Sequence, residues 1–365
     1  MSELDIIPHG AVLIRDCVID QLGPTRRVEN LAKAKNAREI NAAGRIVMPA
    51  FVDPDICLAV SPLGLTSRKR LEAMASAGAA ERARYGCLTA GAHTDGAANL
   101  ADIVKVLRVH KSLQLRPLRL RSIFSPRIAI PDPVSSAAAL EELTVQWLPA
   151  VRKNKLAMVV EFEVGGANPA LEAATIHKAA VAAAGMDYLI RLRSAHYVTP
   201  EAIELALSAG VISIVAPAAG LRNYHSAYAA AGGVHVIPAS EGFDDARDAA
   251  ADLRAAINQG AAIAMASSFR ERGPSSFNPQ FLLYLGVYQL GLTIEEAITA
   301  VTWNAACSLR MSRAAGSLER EKSADLLVMD VPDYRELPRR AGHHDIRLVM
   351  RAGRLLARTP SLTAD

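Results

Sequence analysis

From residue 49 onward, strand-like runs and helical runs take turns along the chain, and no other feature constrains the fold as much. The strand-like runs cover 49–54, 87–93, 117–124, 158–164, 188–194, 211–217, 234–240 and 261–268. Most are short and apolar with β-branched residues, as in "MVVEFEV" and "VISIVAP". Between them lie stretches with helical spacing, such as "NLADIVKVLRVHKSL" and "DARDAAADLRAAINQG". Several open on Ser, Thr, Asn or Asp, which cap orphan N–H groups, and several close on Gly, the usual helix stop. A strand, a crossover helix and a second strand make a parallel pair. Eight such units predict an α/β chain folded as a TIM-like (β/α)8 barrel.

The two ends have a different character. "GAVLIRDCVIDQLGP" and "REINAAGRIVMPAF" near the start, and "SADLLVMDVPDY" and "DIRLVMRAGRLL" near the end, read as short strands separated by turn residues. They predict a small β-sandwich built from both termini, residues 1–48 with 316–365, beside a barrel domain over 49–315.

Composition narrows the function classes. The chain is 51% hydrophobic and 21% charged, an ordinary globular balance. Its net charge of +4 is scattered, whereas nucleic-acid binding calls for a concentrated basic face, so none is expected. No apolar run approaches the roughly 20 residues that cross a bilayer, so no membrane partner is expected either. Cys17, Cys57, Cys87 and Cys307 form no CxxC pair, and "MSELDIIPHG" has no apolar signal core. Both features fit a reducing cytoplasm without disulfides. Phosphate-cradling glycine loops and the G-x-S-x-G elbow are missing from the sequence.

Several segments resemble the amidohydrolase superfamily, and within it the imidazolonepropionases. "AITAVTWNAACSLRMSRAAGSLEREKSADLLVMDVPDYRELP" is similar to that family's closing segment, "GRIVMPAFVDP" to its first barrel strand, and "FEVGGANPALEAATIHKAAVAAAG" to the part before its fifth. The likeness spans nearly the whole chain and is most specific at its two ends. It implies a TIM-like barrel with a small β-sandwich, commonly a homodimer, and a Zn or Fe ion that activates water for C–N hydrolysis in cyclic amides. The family pattern draws metal ligands from a His-x-His on strand 1, a His on strand 5, commonly one on strand 6, and an Asp on strand 8. Here the matching positions carry Asp55 and Cys57, then Arg191 (or Arg193), Ala216 and Ser268. Guanidinium has no lone pair to offer a metal and alanine has no donor at all. The expectation is therefore a lost metal site, no bound cofactor and no metal-dependent hydrolysis.

Other residues at the strand ends have two readings each. His93 closes strand 2 and either joins Asp55 and Cys57 as a makeshift ligand or hydrogen-bonds locally, the reading we favour. His196 is either a mouth residue or a loop histidine. Cys57 lacks an identifiable base and reads as an inert buried thiol. Alternation puts Glu161 with Glu163, Arg191 with Arg193, and Arg119 with Arg121 on inward faces of adjacent strands. Unpaired buried charge is costly, so these pairs predict an ion-pair lattice where the family holds its metal. The alternative is that some of them reach water at the strand ends. Arg127, Arg193, Arg222, Arg270 and Arg272 outnumber the acidic Asp55, Glu163 and Glu241 at the predicted mouth. His93, Glu163, Arg193, Arg222 and Arg270 are the ligand-binding candidates, and a small organic anion is the expected ligand. Homodimerisation or pairing with an active paralogue is the expected assembly. The alternative function is an active hydrolase of cyclic amides that uses an altered site.

Overall fold

The computed structural model describes residues 3–58, 63–94, 97–114, 116–128, 130–166, 168–194, 198–223, 226–239, 246–268 and 278–358. Eight parallel strands form one sheet in sequence order: Phe51–Ile56, Cys87–His93, Arg119–Phe124, Val159–Val164, Leu189–Ser194, Ser213–Val215, Val234–Pro238 and Ala262–Ala266. They are called here the first to eighth barrel strands. At the seam, Asp53 of the first strand accepts from the backbone N–H of Ser267 at 3.1 Å, just past the eighth, and from its hydroxyl. The sheet is thus a nearly closed (β/α)8 barrel.

The helices begin where the capping signals stand. Ser67, Asn99, Asn168 and Thr199 each accept from a backbone N–H in the first turn of the helix that follows. Thr293 and Glu296 form a reciprocal capping box. Pro133, Pro169, Pro200 and Pro279 occupy first-turn positions, where a missing N–H costs nothing. The helical stretch between the third and fourth barrel strands is two α-helical pieces, Pro133–Glu142 and Leu148–Lys153, joined by a π-helical turn over Leu143–Trp147.

Alternation divides the strands between two cores. Val160, Phe162, Ile190 and Leu192 pack outward against the helices, while Val52, Ile123, Val159 and Val236 fill the barrel interior. Short helix Trp303–Ser308 contributes Ala305 and Ala306 to that inner cluster.

The terminal segments form two sheets. Gly10–Arg15 pairs antiparallel with Val18–Pro24, and Ile46–Pro49 joins Leu326–Met329, Ile346–Arg351 and Arg354–Arg358 in a four-stranded sheet. Val12 and Ile14 of the first pair pack on Leu326, Val328, Leu348 and Met350 of the second sheet. The side chains of Leu327 and Ile346 press on Gly86, at the entry to the second barrel strand. A Cβ there would meet both within 2.8 Å. Among the described residues, no helix is long and apolar enough to cross a membrane.

Candidate functional site

The site begins with an irregularity in the first strand. Asp53 pairs with Ala90 and Ile56 with Ala92, so three steps on one strand match two on its neighbour. Plain alternation would set Asp53 and Asp55 on one face. The slip at Pro54 separates them, as bulges beside functional sites commonly do. Asp53 is left at the seam with Ser267 and near Arg82 of the outer helix Arg68–Arg84. Asp55 points into the barrel. Gly91 makes room for this kink, because a Cβ on it would lie 2.5 Å from the Pro54 carbonyl oxygen.

Four charged side chains meet at that level. Arg191 Nη2 lies 2.8 Å from Asp55 Oδ1, and its Nε lies 2.7 Å from Glu161 Oε2. Arg193 Nε donates to Glu161 Oε1 at 3.0 Å, and its Nη2 contacts Asp55 Oδ1. Each carboxylate therefore touches both guanidiniums, giving a closed ring with two charges of each sign. Neighbours complete it. Ser268 donates to Asp55 Oδ2 at 2.7 Å, Ser125 to Glu161 Oε1 at 3.3 Å, and Arg191 Nη1 to the Pro54 carbonyl at 2.7 Å. His93 Nε2 stands 3.8 Å from Asp55 Oδ1. Ser268 holds its position with a left-handed φ of +46°.

The ring is buried and meets a cavity only on its upper side: Asp55 and Arg191 are fully buried, Glu161 is 4% exposed and Arg193 9%. Burial by itself raises a carboxyl pKa, but here the neighbouring cations win. Arg193, His93 and Arg191 hold Asp55 far below the usual carboxylate range, and Arg193 and Arg191 hold Glu161 below its own. Both acids are thus ionised and poorly suited to accept a proton.

The lattice expected from alternation is present in the fourth and fifth strands and absent from the third. Ile123 pairs with Val159, so Ser125 occupies the level of Glu161, and Arg119 and Arg121 sit lower in the stagger. Arg119 lies 3.6 Å from Asp325, and Arg121 reaches the sulfur of Met158 at 3.1 Å and the Arg310 carbonyl at 3.5 Å. Glu163 is likewise outside the ring, exposed at the rim. The first strand supplies the second acid instead.

Of the positions matching the family's metal ligands, Asp55, Arg191 and Ser268 converge. Cys57 is a buried thiol past the end of the first strand, and Ala216 is fully buried beyond the sixth. Above the ring opens a cavity of about 60 Å³, lined among others by His93, Ser125, Arg127, Glu161, Glu163 and Arg193. The side chain of Arg222 and the whole of His196, Glu241, Arg270 and Arg272 lie outside the described residues. Sequence reasoning missed Ser125 and the Pro54 carbonyl as partners of the ring, since neither carries a motif. No group of three or more His, Cys, Asp or Glu arranged to hold a metal occurs among the described residues.

An eight-stranded barrel with charged residues at the C-terminal strand ends defines a class that many enzymes share. Comparison narrows it. A family model described as the amidohydrolase family matches residues 170–356. The imidazolonepropionase of Solibacter usitatus is 30% identical, across 98% of this chain and 93% of that protein. The imidazolonepropionase of Brevibacillus brevis is 26% identical, across 98% and 92%. Among solved structures, a 5-methylcytosine deaminase from Klebsiella pneumoniae superposes with a TM-score of 0.71 over 97% of this chain and 96% of that one. At 16% identity, it speaks for the fold alone. The chain belongs to the amidohydrolase family, as an imidazolonepropionase-like member.

Proposed function

We propose that this chain binds a small ligand at its barrel mouth and has given up metal-dependent hydrolysis. The observation that carries the reading is the ring of Asp55, Glu161, Arg191 and Arg193. A metal that lowers the pKa of water needs lone pairs converging from several strand ends. Of Asp55, Cys57, Arg191, Ala216 and Ser268, only Asp55 and Cys57 are conventional ligands. Both oxygens of Asp55 are already engaged, by guanidinium and by the Ser268 hydroxyl. Two guanidiniums at the same level also repel a dication. These residues do not fit a resident Zn or Fe. A metal-free hydrolysis would need a general base, and the ring holds Asp55 ionised with little appetite for a proton.

The retained mouth, with Arg127 and Arg193 on its wall, supports binding of a small organic anion. Assembly as a homodimer, or with an active paralogue, is part of the same proposal.

Elemental analysis of protein purified without chelator tests the reading, alongside an assay of imidazolone-ring hydrolysis. The expected result is no Zn, Fe or Mn near stoichiometry after dialysis and no turnover above background. A retained metal, or turnover that disappears in Asp55→Asn, would instead assign an active hydrolase of cyclic amides.

A further inference from the structure

The end of the barrel opposite the mouth carries a guanidinium with no carboxylate to answer it. Arg121 shares the inward face of the third strand with Ile123. Its neighbour Arg119 lies 3.6 Å from Asp325, and Arg351 shares the same acid at 2.9 Å. Arg121 has no such partner. Among the described residues its Nε is buried without a hydrogen-bond acceptor, and burial lowers its pKa with no carboxylate acting against the shift.

The acceptors that Arg121 does find are poor. Nη2 donates to the Arg310 carbonyl at 3.5 Å, at the edge of hydrogen-bonding range. Nη1 donates to the sulfur of Met158 at 3.1 Å, and a thioether is a weak acceptor. Met158 stands just before the fourth strand and is open to solvent. At 48% exposed it leads the described methionines, ahead of Met74 at 37%, while Met48, Met265, Met311, Met329 and Met350 are buried. An oxidant therefore reaches Met158 and Met74 first, and Met158 alone of the two has a guanidinium on its sulfur.

Oxidation changes that contact in kind. A hydroperoxide hands one oxygen to the sulfur: the O–O bond breaks, an S–O bond forms, sulfur gives up two electrons, and the peroxide leaves as water or an alcohol. A sulfoxide ordinarily disrupts apolar packing, because it turns a flexible apolar side chain into a polar one. Beside Arg121 the new oxygen supplies the strong acceptor that the guanidinium lacks, and the bond is charge-assisted from the donor side.

We propose that Met158 is an oxidation site for hydroperoxides, reversible by thiol-dependent sulfoxide reductases, and that Arg121 holds the sulfoxide oxygen. In the reverse step two thiols become a disulfide and the oxygen leaves as water. The site lies at the other end of the barrel from the mouth and does not depend on the ligand-binding reading.

The test treats the full chain, as a Met74→Leu parent, with graded hydrogen peroxide. Peptide mass mapping reads each methionine, and thermal melting reads the protein. Met158 should gain one oxygen ahead of the buried methionines, and the melting point should rise by about 2 °C. Sulfoxide reductases of both epimer specificities should return the original value. In Arg121→Leu the same oxidation should lower the melting point, since the oxygen then has no cation to accept from. If the buried methionines oxidise while Met158 stays reduced, Met158 is not the site. A parent melting point that is unchanged or lowered once Met158 is oxidised overturns the role of Arg121, whether or not Arg121→Leu folds.

Discussion

Arg191 reaches across the barrel to Asp55, 2.8 Å from its Oδ1, and donates to the Pro54 carbonyl at 2.7 Å, so one side chain of the fifth strand ties down the kinked end of the first. Its cost and its worth are both electrostatic. Taking one charge out of a buried set leaves its partners uncompensated. Arg191→Met should destabilise the protein by about 3–5 kcal/mol. The double variant Arg191→Met, Glu161→Gln should lose less than the sum of the two single losses, because it removes one charge of each sign. Urea denaturation of the four proteins checks this, and strict additivity would show that the four groups do not act as a unit.

Removing the whole side chain should open a cation site. Arg191→Ala leaves Asp55 and Glu161 facing a guanidinium-sized gap, with Ser268 still bound to Asp55. Free guanidinium at low, non-denaturing concentration should then raise the melting point of this variant by mass action. It should not do so for wild type. Thermal scans with guanidinium chloride, against matched sodium chloride and urea, read the difference.

Asp53 and the ring acids respond to pH in opposite directions. Burial pushes the Asp53 pKa up to about 6, against the lowering influence of Ser267 and Arg82. A raised folded-state pKa gives stability that is fully present below the unfolded value and is lost as pH rises through about 6. Asp55 and Glu161, held low, contribute stability above their unfolded values of 3.8 and 4.5 and lose it only in stronger acid. Relative to Asp53→Asn, wild type should therefore gain up to about 3 kcal/mol between neutral pH and about pH 4. Denaturation midpoints of the pair across that range check it, and a constant gap would contradict the assignment.

His110 is a buried liability of the helix Leu100–Leu113. It is fully buried, its two ring nitrogens find no hydrogen-bond partner among the described residues, and burial pushes its pKa down to about 3. A depressed histidine keeps its contribution above about 6.5 and loses it as pH falls toward 3. His110→Leu should stabilise the protein at neutral pH by about 1–2 kcal/mol, since it removes unsatisfied polar atoms of similar bulk. The gain should grow in acid. Melting curves at neutral and mildly acid pH decide it.

Much of this molecule is written in local sequence. Eight short β-rich runs, helices capped by Ser67, Asn99, Asn168 and Thr199, and prolines in first turns each depend on a few neighbouring residues. Period two likewise put Glu161, Arg191 and Arg193 on the inner face, because outward packing demands the apolar partners Val160, Phe162, Ile190 and Leu192. The height of each residue inside the barrel was not legible. Arg119 and Arg121 share the same alternation, yet the pairing of Ile123 with Val159 drops them below the ring and lifts Ser125 into it. The slip at Pro54 that parts Asp53 from Asp55, and the turn of Arg193 away from Glu163, are invisible for the same reason. Stagger between strands is fixed by closing all eight into one barrel, and which charges meet depends on that stagger, so only the assembled tertiary structure could decide it.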